Sequence, residues 1–150
     1  MLNVITGLGE TTGAALARHS GVDIVSLTGG TATGKVVSRL AADSLKRVHL
    51  ELGGKAPAVV LDDADPTSVA ASLRAASYWN AGQDCSAATR VIATAAVYDG
   101  LLAALMREVG SLTLGDPAMS DVEMGPLTFG EHRDAVLGFV KRAEAGGATV

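Results

Sequence analysis

Short apolar, β-branched runs alternate with segments of helical period along almost all of this 150-residue sequence. Strands are predicted for the runs at 2–6, 23–27, 47–52, 57–61 and 90–94. Helices are predicted for the segments at 10–19, 31–44, 66–79, 98–112 and 130–145. Because parallel strands need a crossover connection, and a helix usually supplies it, this order predicts an α/β fold with parallel sheet.

Two helix starts carry their own signals. Thr11 or Thr12 could cap the first helix with a side-chain oxygen. Asp65 before Pro66 predicts a capping carboxylate and a proline at the first helical position of the third helix.

Composition and charge narrow the class of protein. The net charge of −4, without any run of Lys or Arg, gives no basic face, so nucleic acid is not an expected partner. No apolar stretch approaches the roughly 20 residues of a membrane span, and residues 1–7 lack the features of a signal peptide. The single cysteine, Cys85, excludes an internal disulfide and a cysteine-based metal site. The expected location is therefore the cytoplasm.

The two ends of the sequence and one internal point suggest how the chain is organised. Residues 1–7 read as the end of a strand and a turn, and residues 146–150 as a turn that leads into a new strand. A self-contained domain seldom stops there, so the sequence is expected to be part of a longer chain. The pair Gly53-Gly54 is the one candidate domain boundary.

Gly29, Gly30 and Gly34 lie at a predicted junction of strand, turn and helix. Glycines there let the backbone approach a phosphate, and the free N–H groups of a helix start favour an anion. The spacing is not the dinucleotide-binding GxGxxG pattern, and a tight turn without a ligand explains it equally well.

Glu51 and Cys85 could carry chemistry. A partly buried Glu51 at the end of an apolar strand could act as a base, and a surface glutamate beside a turn is the alternative. Cys85 follows a glycine-containing loop and is expected near a helix start, where a thiol can be activated. A small buried hydrophobe is the alternative for a lone cysteine.

The three histidines, His19, His49 and His132, show no spacing that suggests a metal site or a catalytic pair, and no role is assigned to them.

Three stretches together resemble the aldehyde dehydrogenase family. They are LTGGTATG at 27–34, ELGGK at 51–55 and NAGQDC at 80–85, in the family's order. Glu51 and Cys85 lie 34 positions apart, as the family pattern requires. The stretch GLGETTG at 7–13 is similar to the family's cofactor turn, and GPL at 125–127 to a later turn, so the resemblance covers essentially the whole chain.

The resemblance implies the central portion of the aldehyde dehydrogenase fold. Residues 1–53 would be the C-terminal part of the Rossmann-like NAD(P)-binding domain, and residues 54–150 the N-terminal part of the α/β catalytic domain. Both would be incomplete, and the full-length enzyme would be a homo-oligomer.

The resemblance also implies a role for individual residues. Cys85 would attack an aldehyde as a thiolate, and Glu51 would activate the water that hydrolyses the resulting thioester. The cofactor would be NAD, with NADP possible. Its binding residues would lie in three groups: Gly9 and Gly13; Thr28, Gly29, Gly30, Thr33 and Gly34; and Leu52 and Gly53.

Two departures limit what the chain alone could do. Many family members have serine where this sequence has Gly30, so a hydroxyl contact to phosphate is lost. The upstream asparagine of the oxyanion hole, the upstream lysine on the adenosine ribose and the downstream Glu-Phe motif of the family lie outside these 150 residues. The chain alone is therefore expected to be inactive.

The substrate prediction depends on the residues beside Cys85. Tyr78, Trp79 and Asp84 make this neighbourhood similar to bacterial aminobutyraldehyde and betaine-aldehyde dehydrogenases. A carboxylate with aromatic faces suits a cationic aldehyde such as 4-aminobutanal. The alternative for Asp84 is that it caps the loop or faces solvent. Succinate semialdehyde or another neutral aldehyde is an alternative substrate, and a non-catalytic truncated or binding module is an alternative function.

Overall fold

The computed structural model describes residues 1–149, which form two compact units that divide between Gly54 and Lys55. The first unit contains a π-helical turn (Gly9–Gly13), α1 (Ala14–Arg18), β1 (Ile24–Gly29), α2 (Thr31–Ala42) and β2 (Arg47–Leu52). The second contains β3 (Ala56–Val60), α3 (Pro66–Tyr78), a 3-10 turn (Trp79–Gly82), β4 (Ala88–Ala93), α4 (Ala95–Gly110) and α5 (Gly130–Ala145). The order of strands and helices from residue 23 onward is the predicted one.

Each unit holds one pair of parallel strands, which confirms the predicted α/β class. β1 pairs with β2 from Ile24 opposite Arg47 to Gly29 opposite Leu52. β3 pairs with β4, with a bulge between Ala56 and Pro57. In both pairs a helix lies between the two strands in the sequence, as a parallel crossover requires.

Burial alternates along both strands of the first unit. Val25 and Leu27 of β1 and Leu50 of β2 are half-buried, whereas their neighbours are exposed. Successive side chains of a strand point to opposite faces, so one face of this sheet is apolar and the other is polar. Gly34 of α2 is buried, and a Cβ there would lie 3.0 Å from Leu52 Cδ2, so this position brings the helix close to β2.

The core of the second unit lies where α3 and α4 pack on β3. Its buried members are Val60, Ala70, Leu73, Val97, Leu101 and Ala104. Arg74 of α3 adds a polar link, because its Nε donates to the Glu108 carbonyl at 3.2 Å and its guanidinium pairs with Glu123. The Arg74 guanidinium, followed by the Thr113 N–H, holds the pKa of the Glu123 carboxyl below its ordinary value.

The predicted start of α3 is confirmed. Asp65 accepts a hydrogen bond from the Ser68 N–H at 2.9 Å, and Pro66 is the first helical residue. The Ser68 hydroxyl and then its N–H hold the pKa of the Asp65 carboxyl below its ordinary value. A lowered carboxyl pKa stabilises the fold above the ordinary aspartate range, and this contribution is lost as the pH falls through the folded-state pKa.

Two local predictions were wrong. Residues 2–6 form no strand but an exposed irregular segment, because the described residues offer this short apolar run no neighbouring strand to pair with. Neither threonine caps the first helical turn: Leu8 occupies the cap position, and the Thr11 hydroxyl donates to the Leu8 carbonyl instead.

Across residues 1–149, no helix has both the length and the apolar character needed to cross a membrane.

Leu101 and Leu102 offer a matched test of the core in the second unit. The Leu101 side chain is 3% exposed and Leu102, its neighbour on α4, is 45% exposed. Leu101→Ala should lower the free energy of unfolding by about 2–5 kcal/mol, because it leaves a cavity among packed side chains. Leu102→Ala should lower it by less than about 1 kcal/mol. Urea titrations of both variants measure the difference, and equal losses would contradict the assigned core.

Candidate active site

The loop before Cys85 has an unusual backbone. α3 ends at Tyr78, and the next turn contains three consecutive residues in the left-handed region: Asn80 (φ 53°), Ala81 (φ 57°) and Gly82 (φ 72°). Glycine adopts this conformation freely, whereas for alanine it costs about 1–2 kcal/mol. Backbone strain of this kind concentrates at functional sites.

Side-chain amides hold this turn in shape. Asn80 Nδ2 donates to the Gln83 carbonyl at 3.1 Å, and Gln83 Nε2 donates to the Asn80 carbonyl, also at 3.1 Å. Gln83 Oε1 accepts from the Thr128 N–H at 3.0 Å and from the Thr128 hydroxyl at 2.6 Å. Gln83 therefore links the turn to a segment 45 residues further along the chain.

Cys85 is exposed at the end of this loop. Its Sγ lies 3.7 Å from Ser86 Oγ, and the chain then enters β4 at Ala88. The expected helix start beside Cys85 is therefore wrong, because a strand follows the loop. Within the described residues no helix begins beside Cys85, so a helix N-terminus is not the source of any activation of its thiol.

Asp84, beside Cys85, caps the loop. Its Oδ1 accepts the Ser86 N–H at 2.8 Å, which is the alternative reading given from the sequence. This contact uses one carboxylate oxygen.

The other two predicted substrate residues lie in different surroundings. Tyr78 is half-buried and lines a cavity of about 400 Å³ with Gln83, Leu127 and His132. The Trp79 side chain is 69% exposed.

Glu51 lies on the polar face of the β1–β2 sheet, opposite Thr28 in the register. Its side chain is 60% exposed, so the expected partial burial is absent within the first unit. The alternation of the strand explains this, because Leu50 and Leu52 take the apolar positions on the other face. Glu51 Oε1 lies 3.2 Å from His49 Nε2, a partner that the sequence analysis did not anticipate.

Several predicted cofactor residues meet at one cavity of about 700 Å³ in the first unit. Gly9, Gly13 and Thr33 line it from the π-helical turn and from α2. The remaining wall is largely apolar and includes Leu16, Val25, Leu27, Val36, Val37 and Leu40.

The remaining predicted cofactor residues lie outside the lining of this cavity. Thr28 and Gly29 end β1, and exposed Gly30 occupies the cap position of α2. Gly34 is buried against Leu52, so its visible role is helix–strand packing. Gly53 is exposed just after β2.

Among residues 1–149 no group of three or more His, Cys, Asp or Glu side chains is arranged to hold a metal ion.

Comparison with known sequences gives one family. The sequence matches the profile of the aldehyde dehydrogenase family over residues 1–150. It is 38% identical to an aldehyde dehydrogenase of Agaricus bisporus over 151 aligned residues, which cover 100% of this chain and 30% of the relative. It is 39% identical to a betaine aldehyde dehydrogenase of Sinorhizobium fredii and to a phenylacetaldehyde dehydrogenase of Pseudomonas fluorescens. These alignments cover 99% and 98% of the chain, and 30% and 29% of the relatives. The chain thus spans about 30% of the length of these relatives.

Solved structures similar to this chain are also aldehyde dehydrogenases. A betaine aldehyde dehydrogenase of Staphylococcus aureus in complex with NAD⁺ superposes with a TM-score of 0.93 at 38% identity, over 97% of this chain and 29% of that one. An aldehyde dehydrogenase C variant of Pseudomonas syringae with NAD⁺ and octanal has a TM-score of 0.92 at 32% identity, over 97% of this chain and 30% of that one.

Proposed function

This chain belongs to the aldehyde dehydrogenase family, and from that premise we propose that it supplies the nucleophile, the base and part of the cofactor site of an NAD(P)-dependent enzyme. The full-length enzyme would oxidise an aldehyde to the carboxylic acid. The observation that carries the proposal is the strained, hydrogen-bonded loop that ends at the exposed Cys85. The location in the cytoplasm and the homo-oligomer are part of the same proposal.

Cys85 is the proposed nucleophile. Its thiolate forms a C–S bond to the aldehyde carbon, and the carbonyl oxygen becomes an alkoxide that the Cys85 N–H stabilises as one donor of the oxyanion hole. When the carbonyl re-forms, the carbon loses a hydride and becomes a thioester, oxidised by two electrons. The acceptor of that hydride and its electron pair would be supplied by NAD⁺ when it is bound.

Glu51 is the proposed base of the second half-reaction. Its carboxylate takes a proton from water, and the hydroxyl oxygen bonds to the thioester carbon. The C–S bond then breaks, the thiolate of Cys85 is restored and the carboxylic acid leaves. An exposed carboxylate fits this task, since water must reach it and its proton must return to solvent.

The first unit fits a dinucleotide. Its cavity of about 700 Å³ has largely apolar walls that suit a planar base, and glycine backbone at Gly9 and Gly13 that leaves room for close approach. Thr28, Gly29, Gly30 and Thr33 would contact the pyrophosphate at the start of α2, where free N–H groups favour an anion. Gly34 would act indirectly by seating α2 on Leu52, and Leu52 and Gly53 would lie near the nicotinamide.

A cationic aldehyde, 4-aminobutanal or a betaine aldehyde, is the proposed substrate. Relatives named for betaine aldehyde and for phenylacetaldehyde are both 39% identical, so overall similarity does not choose between charged and neutral substrates. Asp84 supports the cationic class, because it places a carboxylate beside the nucleophile, and one oxygen suffices for its loop cap. Tyr78 and Trp79 would add aromatic faces.

The 150 residues alone are proposed to be inactive, because the chain spans about 30% of its relatives. A purified chain that reduced NAD⁺ with any aldehyde would refute this.

The roles of Cys85 and Glu51 are separable by trapping. Full-length Glu51→Gln, mixed with aldehyde and NAD⁺, should accumulate the acyl group on Cys85, because thioester formation continues while hydrolysis slows by at least about 100-fold. Mass spectrometry of the peptide that contains Cys85 measures the adduct. Asp63→Asn, at an exposed loop position, is the control and should show no accumulation. An acyl group on another residue, or none on Cys85 at full turnover, would contradict the proposal.

The substrate class is tested at Asp84. Asp84→Asn in the full-length enzyme should raise KM for 4-aminobutanal by about tenfold, because a charge–charge attraction is lost, and KM for a neutral aldehyde of similar length by less than about twofold. Asparagine can still accept the Ser86 N–H, so the loop cap is preserved. Steady-state kinetics with both aldehydes measure the two KM values, and equal increases in KM would contradict recognition of a cation by Asp84.

A further inference from the structure

Three polar side chains form a hydrogen-bonded chain on the polar face of the β1–β2 sheet. Ser26 lies directly opposite His49 in the parallel register, and Glu51 follows His49 on the same face of β2. Ser26 Oγ is 3.0 Å from His49 Nδ1, and His49 Nε2 is 3.2 Å from Glu51 Oε1. The imidazole thus contacts a hydroxyl with one nitrogen and a carboxylate with the other.

The Glu51 carboxylate at one end of this hydrogen-bonded chain determines the direction of both hydrogen bonds. An ionised carboxylate only accepts, so His49 Nε2 must carry the proton that it shares with Glu51. In the neutral ring Nδ1 is then an acceptor, and the Ser26 hydroxyl must donate to it. One tautomer therefore satisfies both contacts: Glu51 selects it, and the Ser26 hydroxyl donates to the nitrogen that remains.

We propose that His49 is the positioning residue of Glu51, holding Oε1 so that Oε2 faces the water it activates, with Ser26 fixing the imidazole ring. The inference rests on the proposed role of Glu51 as the base. An exposed glutamate has three side-chain torsions, and the Nε2–H contact restricts them without occupying the second oxygen.

Two substitutions of His49 test the positioning role. His49→Leu removes the donor and should lower turnover of the full-length enzyme by about tenfold, while the first-turnover burst of NADH stays within about twofold. His49→Gln retains an amide N–H near the former Nε2 and should recover turnover to within about threefold of the parent. His19→Gln, in a turn of the same unit, is the matched control and should leave both rates unchanged.

Ser26→Ala provides a variant that keeps His49 and Glu51 intact. Without the hydroxyl donor the ring is less restricted, and turnover should fall by about threefold with an unchanged burst. A second readout needs no activity: ¹⁵N spectra of neutral His49 in the 150-residue chain should show the proton on Nε2. A proton on Nδ1 would overturn the inference.

The kinetic outcomes distinguish this inference from the proposed function. If Glu51→Gln abolishes hydrolysis but His49→Leu matches His19→Gln in turnover, the positioning role is wrong and the base remains. If Glu51→Gln turns over at the parental rate, both the base and its positioning residue are wrong.

Discussion

The tight loop between α3 and β4 is the constraint on which the candidate site depends. Three left-handed residues in succession reverse the chain, and one of them, Ala81, has no glycine-like freedom. The turn persists because Asn80 and Gln83 hydrogen-bond across it and because Gln83 also accepts two hydrogen bonds from Thr128. The consequence is an exposed thiol at a fixed end of the loop, supported by a segment distant in sequence.

The parallel pairing of strands is the second constraint, and the two units contribute different residues to the proposed chemistry. In the first unit the register sets Ser26 against His49 and, by the alternation of β2, gives Glu51 the same polar face. The other face packs on α2 through a glycine contact and leaves an apolar cavity beside the glycine turn. The second unit contributes Cys85 at the end of its loop.

The sequence predicted what depends on local periodicity and on short motifs. The order of elements from residue 23 onward, the parallel class and the Asp65 cap follow from such signals. Features that depend on tertiary contacts were not predicted. The run at 2–6 was predicted as a strand because its apolar residues do not reveal that a neighbouring strand is missing. Glu51 was predicted to be partly buried because an apolar strand does not indicate which of its faces is covered. His49 was assigned no role because its partner Ser26 lies 23 positions away, and only the strand register brings them together.

Gln83 tests most directly whether the hydrogen-bonded loop is what presents Cys85 as a nucleophile. In the full-length enzyme, Gln83→Ala removes all the side-chain contacts, whereas Gln83→Glu keeps acceptors for Thr128 and loses only the donor to the Asn80 carbonyl. Rapid-mixing measurement of the first-turnover NADH burst should show a rate about 100-fold lower for Gln83→Ala and about tenfold lower for Gln83→Glu, because misplaced reacting groups lose rate steeply. A parental burst rate in Gln83→Ala, with the enzyme folded, would contradict the account.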